Sequence, residues 1–282
     1  MDANPLTARP HASSLSLVVP AYNEAAVIAH AVREADEALG ELFDEYEILV
    51  VDDGSGDDTA AIVAALLGEF PRVRLLWHPR NRGYGAALRT GFEAAAFERV
   101  AFTDADGQFD LRDLSTLAAL VDNTDIAVGY RADRKDPWRR RVLSRGYNLL
   151  ARTLLGTRIR DVDCALKVFR REVVVRLLPA ARGFFVNTEM MTRARLLGFD
   201  VIERPVTHRP RLGGASKVSL WEVPKTLRVL LGFWWREVVR GIGPTAREPI
   251  TVVSARVPVG TGMSRASRPR NFKHAAGERI DV

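Results

Sequence analysis

The sequence contains a single cysteine, Cys164, in 282 residues. One cysteine excludes an internal disulfide and is typical of a protein from a reducing compartment. No apolar run approaches the roughly 18 residues that a membrane-spanning helix requires. The first residues also lack the basic and apolar regions of a secretory signal. The sequence therefore predicts a cytoplasmic protein without a membrane span of its own.

The basic residues lack the interleaved aromatic side chains on which nucleic-acid bases stack. None of the five histidines has an obvious catalytic setting. A net charge of +6 and an isoelectric point near 9.8 nevertheless favour an anionic partner. Positive charge is concentrated in residues 131–176 and towards the C-terminus, whereas residues 1–125 are acidic. This asymmetry predicts a local anion site, and no nucleic-acid partner is expected.

Short apolar runs alternate with stretches of helical length. The runs at residues 15–19, 46–51, 73–77 and 100–103 predict four strands with helices between them. Strands that alternate with helices of about 10–15 residues form a parallel sheet with right-handed crossovers. We therefore predict the α/β class, with a mainly parallel central sheet flanked by helices. Polar sequence follows each strand, which predicts a site at the carboxyl edge of the sheet.

The fourth predicted strand ends in two carboxylates, Asp104 and Asp106, followed by Gln108. Residues i and i+2 of a strand point to the same side, and two like charges that close raise each other's pKa unless a cation lies between them. Carboxylate oxygens and the amide oxygen of Gln108 suit Mg²⁺ or Mn²⁺. An isolated Asp-x-Asp is more often a solvated turn, so the interpretation as a metal site depends on the other motifs.

Four polar motifs follow successive predicted strands: Pro20-x-Tyr22-Asn23-Glu24, Asp52-Asp53-Gly54-Ser55, Asn81-x-Gly83-x-Gly85-x-Ala87 and Asp104-x-Asp106-x-Gln108. Together they resemble the inverting family 2 glycosyltransferases, which have a GT-A type nucleotide-diphospho-sugar transferase fold. The later motifs are Gly129-Tyr130-Arg131, Arg140-x-x-x-Ser144, Asp163-Cys164-Ala165-Leu166-Lys167 and Arg211-x-x-Gly214-x-Ser216-Lys217. These are similar to motifs of the polyprenyl-phosphate (dolichyl-phosphate) mannosyl- and glucosyltransferases.

The resemblance implies a site for a nucleotide-diphosphate sugar, and GDP-mannose and UDP-glucose are both compatible with it. The residues it assigns to this donor are Pro20, Tyr22, Glu24, Asp53, Gly83, Asp104 and Lys217. It also implies that Asp104, Asp106 and Gln108 hold Mg²⁺ or Mn²⁺, and that Asp106 is catalytic. Read alone, Asp53 also fits a turn or cap, Tyr22 a packing residue and the glycines an ordinary turn.

The resemblance further implies a polyprenyl phosphate as the acceptor. Such a phosphate is ionised near neutral pH and is itself the nucleophile, so no strong general base is required. The residues implied to bind it are Arg131, Arg140, Ser144 and Arg211, of which Arg131 and Arg211 are also implied to be catalytic. Each arginine read alone fits a solvated surface charge. Glu189 fits either a family acidic position or a helix N-terminal residue, and Cys164 fits a buried packing residue.

Four segments are predicted: a disordered leader over 1–13, a glycosyltransferase domain over 14–220, an amphipathic helix over 221–242 and a disordered basic tail over 243–282. The amphipathic helix carries three tryptophans beside lysine and arginine, and it is too short and too charged to span a bilayer. It either lies on a membrane surface or packs on the domain as an ordinary helix.

The sequence thus predicts a metal-dependent inverting hexosyltransferase that moves mannose or glucose from a nucleotide diphosphate to a polyprenyl phosphate. We expect a peripheral enzyme at the inner face of the cell membrane, which is anchored by the membrane surface or by an integral-membrane partner. One alternative is a family 2 transferase with a saccharide or small-molecule acceptor. Another is an inactive scaffold that binds nucleotide sugars, although the intact acidic triplet argues against it.

Overall fold

The computed structural model describes residues 14–133, 138–183, 185–210, 222–241 and 253–254, with the backbone alone for 138–143, 222–226 and 253–254. The predicted leader and most of the predicted tail lie outside these residues. So do Arg211, Lys217 and the side chain of Arg140.

One sheet forms the centre of the fold, with the strand order β7-β5-β6-β4-β1-β2-β3-β8. Its strands are β1 (Ser14–Ala21), β2 (Glu45–Asp52), β3 (Val73–Trp77), β4 (Arg99–Phe102), β5 (Ile126–Arg131), β6 (Lys167–Arg170), β7 (Val201–Val206) and β8 (Val253–Ser254). The pairs of β1 with β2 and β4, of β2 with β3 and of β5 with β7 are parallel, whereas β6 and β8 are antiparallel to their neighbours. The prediction of a mainly parallel sheet flanked by helices is confirmed.

The helices connect the strands and flank the sheet. They are α1 (Ile28–Leu42), α2 (Thr59–Leu66), α3 (Tyr84–Ala94), α4 (Leu114–Val121), α5 (Trp138–Leu155), α6 (Arg171–Val174), α7 (Val186–Leu196) and α8 (Glu222–Phe233). A 3₁₀ turn (Leu111–Asp113) precedes α4, and α8 continues into a π-helical turn (Trp234–Val239). Among the described residues, no helix has both the length and the apolar character that a bilayer crossing demands.

Helix α3 lies unusually close to the sheet. An ideal Cβ on Gly91 would lie 2.2 Å from a methyl carbon of Val18 on β1, so only glycine permits this approach. Phe92 then packs edge-on against Phe102 of β4, with ring centroids 5.8 Å apart. Because α3 is fixed against β1 and β4 in this way, its first residues are held at the carboxyl edge of the sheet.

Strand β6 is antiparallel to both of its neighbours, and this changes which loop reaches the site. Lys167, the first residue of β6, pairs with Phe102 near the end of β4 and with Val128 on β5. A strand that begins where its neighbours end places the loop before it at their carboxyl edge. Residues 161–166 therefore lie at the same edge of the sheet as the acidic pair.

Strand β6 begins only at Lys167, and the residues before it form a turn. The Nζ atom of Lys167 points inwards and donates hydrogen bonds to the carbonyl oxygens of Val162, at 3.1 Å, and of Cys164. Folding the chain around the buried ammonium satisfies its donors and prevents the strand from starting earlier.

Candidate active site

The loops that follow β1 and β2 hold each other in place. The backbone N–H of Asn23 donates to Ser55 Oγ at 2.9 Å, and that of Glu24 donates to Thr59 Oγ1 at 2.9 Å. In return the side-chain oxygen of Asn23 accepts from the N–H of Gly56 at 2.8 Å. Asn23 has φ 51°, a left-handed conformation that asparagine tolerates well. The two loops predicted to bind the nucleotide sugar therefore form one connected wall of the site.

Asp53, at the end of β2, organises the loop that leads into α3. Its carboxylate accepts from the N–H groups of Arg82, at 2.9 Å, and Gly83, at 2.8 Å, and lies 2.6 Å from His78 Nδ1. The second ring nitrogen of His78 lies 2.9 Å from Thr90 Oγ1. Asp53 and His78 are 2% and 1% exposed, so these contacts are sheltered from water. They give Asp53 a loop-shaping role, and its predicted contact with the donor stays a prediction.

We expect His78→Ala to lower the free energy of unfolding by about 2–4 kcal/mol, because it opens a cavity and leaves buried polar atoms of Asp53 and Thr90 without this partner. Urea denaturation measures the loss. His30→Ala is the matched control, because the His30 side chain is 60% exposed, and it should change stability by less than about 0.5 kcal/mol. Equal effects of the two substitutions would contradict a structural role for His78.

The predicted metal residues form a single turn after β4. Asp106 Oδ1 accepts from the N–H of Gln108 at 3.1 Å, and Gly107 between them has φ 67°. Asp104 accepts from the hydroxyl of Tyr84 at 2.9 Å, which joins the acidic turn to the glycine loop, residues 81–85, whose last two residues begin α3. Burial, together with the charge of Asp104, raises the pKa of Tyr84 well above its usual value, so this hydroxyl remains a donor at neutral pH.

This turn offers ligands of the kind that a magnesium or manganese ion takes. Among the described residues, no three His, Cys, Asp or Glu side chains converge to form a metal site. The acidic turn offers two carboxylates and one amide oxygen, whereas a closed structural zinc site needs four protein ligands. Mg²⁺ is usually held by one or two carboxylates and completes its coordination with water and substrate phosphates. Asp104, Asp106 and Gln108 fit such an ion.

A cavity of about 430 Å³ opens beside the carboxyl end of β5. Four arginines line it: Arg131, Arg145, Arg152 and Arg160. Arg131 is held by a two-pronged ion pair, in which Nε and Nη2 lie 2.6 and 2.8 Å from the oxygens of Asp161. The cavity wall also includes Leu149, which is 63% exposed. Asp133 and Asp161 also line the cavity, so four guanidinium groups face two carboxylates and the remaining positive charge suits an anion.

Cys164 lies in the loop between this cavity and β6. Its side chain is fully buried, and burial raises the pKa of the thiol to about 12. A buried, protonated thiol is a poor nucleophile. The structure therefore agrees with a packing role for Cys164.

Comparison with known proteins identifies the family. Residues 16–178 match the model of "Glycosyl transferase family 2". The chain belongs to this family. It is 35% identical to glycosyltransferase AglD of Haloferax volcanii in an alignment of 272 positions that covers 90% of this chain and 42% of AglD. It is 34% identical to the polyprenol monophosphomannose synthase of Mycolicibacterium smegmatis over 229 residues. This alignment covers 77% of this chain and 84% of the synthase.

A solved structure has the same fold. Glucosyl-3-phosphoglycerate synthase from Mycobacterium tuberculosis, in complex with Mn²⁺, UDP and phosphoglyceric acid, has a TM-score of 0.59 and 22% identity. The match covers 79% of this chain and 78% of that one. The predicted GT-A fold and the predicted family are thus confirmed. The chain spans less than half the length of AglD, the longer relative.

This family 2 glycosyltransferase chain brings most of its predicted donor and metal residues to one edge of the sheet. Those at the ends of β1, β2 and β4 or in the loop before α3 are Pro20, Tyr22, Glu24, Asp53, Gly83, Asp104, Asp106 and Gln108. Arg131 lines the arginine cavity, and Ser144 lies on α5. The roles predicted for Arg140, Arg211 and Lys217 fall on side chains outside the described residues and stay predictions.

Several residues of this family 2 site have contacts that the sequence did not predict. Tyr84 lies between Gly83 and Gly85 of the third motif, so its place in the sequence could have indicated that it belongs to the site. Asp161 and His78 contact partners 30 and 25 residues away, and no local pattern identifies such pairs. His208 is 6% exposed and places Nε2 at 3.4 Å from Gln108 Nε2. The bridge between Phe109 and His208, and the hydrogen bond that the N–H of Arg209 donates to the carbonyl oxygen of Gln108 at 2.7 Å, bring it to the acidic turn.

Proposed function

We propose that this chain is a metal-dependent inverting hexosyltransferase that moves mannose or glucose from a nucleotide-diphosphate sugar to a polyprenyl phosphate. The observation that carries the proposal is the hydrogen bond between Tyr84 and Asp104, which joins the glycine loop to the acidic turn. A diphosphate needs both parts, a backbone that it can approach closely and a cation for its charge. The manganese and UDP in the related fold from M. tuberculosis support this interpretation.

Asp104, Asp106 and Gln108 would hold Mg²⁺ or Mn²⁺, which, when bound, supplies charge stabilisation for the departing nucleoside diphosphate. The other donor residues act through position. Pro20, Tyr22 and Glu24 line the first loop, and Asp53 fixes the glycine loop through two backbone N–H groups. Lys217 is assigned to the diphosphate by resemblance.

The arginine cavity is the proposed site of the acceptor phosphate. Three arginines besides Arg131 line it, and the exposed Leu149 on its wall suits an acceptor that joins a phosphate to a hydrocarbon chain. The name of the M. smegmatis relative supports a polyprenyl acceptor. A phosphate oxygen that is already ionised attacks the anomeric carbon directly, so the site needs no general base.

The position of Glu189 agrees with a reaction that uses no base. Its carboxylate accepts from the N–H groups of Ala180 and Ala181 at 2.9 and 2.7 Å, and it lies 2.8 Å from Arg193. The side chain is 2% exposed. An acidic group that is buried and bound in this way serves structure better than proton transfer.

The C-terminal helix is the proposed membrane-facing surface. Leu230 and Phe233 pack inwards against Leu155 and Phe185. Large apolar side chains on its other side are about half exposed: Leu231, Trp235 and Val239. Beside its arginines, such a face suits the surface of an anionic membrane. We propose a peripheral location at the inner face of the cell membrane, with an integral-membrane partner as an additional anchor.

A transfer assay on the purified protein tests the proposed function. GDP-mannose and UDP-glucose are offered separately, with Mg²⁺ or Mn²⁺, against a polyprenyl phosphate in detergent. We expect glycosylated lipid from one donor and none after EDTA is added. Phosphoglycerate is the parallel acceptor, because the arginine cavity would also suit a small acid such as the one in the M. tuberculosis complex. Product with phosphoglycerate alone would overturn the lipid acceptor, and failure to bind any nucleotide sugar would overturn the whole proposal.

A further inference from the structure

A buried cluster of three charged residues joins α7 to the C-terminal helix. Arg193 donates through Nε and Nη2 to the two carboxylate oxygens of Glu237, at 3.0 and 2.8 Å. The same Nη2 lies 2.8 Å from Glu189, and Nη1 donates to the carbonyl of Leu178 at 3.1 Å. The three charged residues are 2–8% exposed. Two carboxylates thus share one buried guanidinium, and breaking either ion pair is costly because the guanidinium loses a partner that water cannot replace.

The cluster continues into the backbone of residues 180–182. Glu189 accepts from the N–H groups of Ala180 and Ala181, one with each carboxylate oxygen. The carboxylate therefore fixes the direction of this segment, and Arg193 in turn fixes the carboxylate. A shift of Arg193 therefore also moves the Glu189 carboxylate, to which residues 180 and 181 are hydrogen-bonded.

Residues 180–182 lie directly against the glycine loop and the first turn of α3. The N–H of Gly85 donates to the carbonyl oxygen of Arg182 at 3.0 Å. An ideal Cβ on Gly85 would lie 1.9 Å from the Ala181 oxygen, and one on Gly83 would lie 2.4 Å from the Arg182 oxygen. These approaches leave no gap between the two backbones, so the position of one determines the position of the other.

Glu237 lies in the π-helical turn, the part of the C-terminal helix that exposes Trp235. Within this turn Glu237 is 8% exposed whereas Trp235 is 53% exposed. The turn therefore presents an acid to the protein interior and an indole to the outside. A π-helical turn is uncommon, and it often occurs at functional sites.

We propose that Glu189, Arg193 and Glu237 form a positioning cluster through which the C-terminal helix holds residues 180–182 against the glycine loop and so sets the affinity for the nucleotide-diphosphate sugar. This inference rests on the proposed donor role of the glycine loop. The three residues are positioning residues, because they act on the donor only through backbone that they hold in place.

The test is Glu237→Gln, which keeps the shape of the side chain and removes its charge. Because coupling between neighbouring groups changes affinity by a modest factor, we expect the donor KM and the Kd for the nucleotide sugar to rise about five- to tenfold. The KM for polyprenyl phosphate and kcat at saturating donor should stay within about twofold. Glu172→Gln makes the same chemical change at a side chain that is 76% exposed; it is the matched control and should leave all four values unchanged.

A double substitution separates a positioning role from a general loss of structure. If Glu189 and Glu237 act through one path, Glu189→Gln combined with Glu237→Gln should raise the donor KM by less than the product of the single effects. Arg193→Lys provides the same donor readout if Glu237→Gln does not fold. If the wild type binds the nucleotide sugar, equal affinities for it in the Glu237→Gln, Arg193→Lys and Glu172→Gln proteins would overturn the inference. A wild type that binds no nucleotide sugar would overturn the proposed function and this inference with it.

Discussion

Asp106→Ala should lower kcat/KM for hexosyl transfer at least about 100-fold, since charge stabilisation of a leaving group by a metal is worth several kcal/mol. Asp106 supplies one of the two carboxylates of the acidic turn and is 5% exposed. Without it, the turn retains a single carboxylate and holds a divalent ion poorly. The measurement is transfer rate against Mg²⁺ or Mn²⁺ concentration, with thermal unfolding to verify that the fold persists.

Asp106 also accepts a hydrogen bond from the N–H of Gln108, so alanine removes a turn contact as well as a ligand. Asp106→Asn separates the two effects, because its amide oxygen still accepts that hydrogen bond while the charge is lost. We expect the asparagine variant to be nearly as inactive as the alanine variant and more stable than it. Asp122→Ala, which removes a carboxylate that is 44% exposed, should leave transfer unchanged. Full activity in a folded Asp106→Ala protein would remove the metal assignment.

Gly85→Ala should weaken nucleotide-sugar binding at least about tenfold and lower the free energy of unfolding by about 3 kcal/mol, the upper part of the usual range for overpacking. The added Cβ would lie 1.9 Å from the carbonyl oxygen of Ala181, a distance that no real contact adopts. Either α3 or residues 180–182 must move, and the hydrogen bond from Gly85 to Arg182 is lost in the process. Isothermal titration with the nucleotide sugar and urea denaturation measure the two losses.

Gly146→Ala is the matched control for this substitution. Gly146 also lies in a helix, α5, but apart from neighbouring backbone of that helix no heavy atom of the described residues lies within 4 Å of the Cβ that alanine would add. Alanine is preferred over glycine inside a helix by up to about 1 kcal/mol, so this variant should be slightly more stable than the wild type. The same chemical change is thus expected to have opposite effects on stability at the two positions. Equal stability of the two variants would show that the glycine loop is not held as tightly as its contacts indicate.

The first four strands and the loops after them were predictable because each depends on a local pattern. An apolar run marks the strand and a polar motif marks its carboxyl end, and the topology of a parallel sheet brings those ends together. The strand predicted over 73–77 matches β3 (Val73–Trp77) at both ends. Similarly, the acidic turn was predictable because Asp104, Asp106 and Gln108 are contiguous in the sequence.

The remaining parts of the site depend on pairs that are distant in sequence. Arg131 was predicted as a phosphate ligand, but its ion pair with Asp161 was not, because 30 residues separate them. Arg193 and Glu237 are 44 residues apart, and no pattern on either helix identifies the partner. The direction of β6 was also hidden, because an apolar run has the same appearance in a parallel and an antiparallel strand.

The position of β6 between β5 and β4 also determines where this chain can be truncated. β4 lies between β1 and β6, and Val100, Ala101 and Phe102 on it are completely buried. A fragment ending before Lys167 would keep every donor motif of the first four strands and leave one side of β4 unpaired. An unpaired apolar edge recruits strands from other molecules, so such a fragment would aggregate. The segment Lys167–Arg170, which contains no residue of the proposed site, is therefore what covers the edge of the strand that carries the acidic turn.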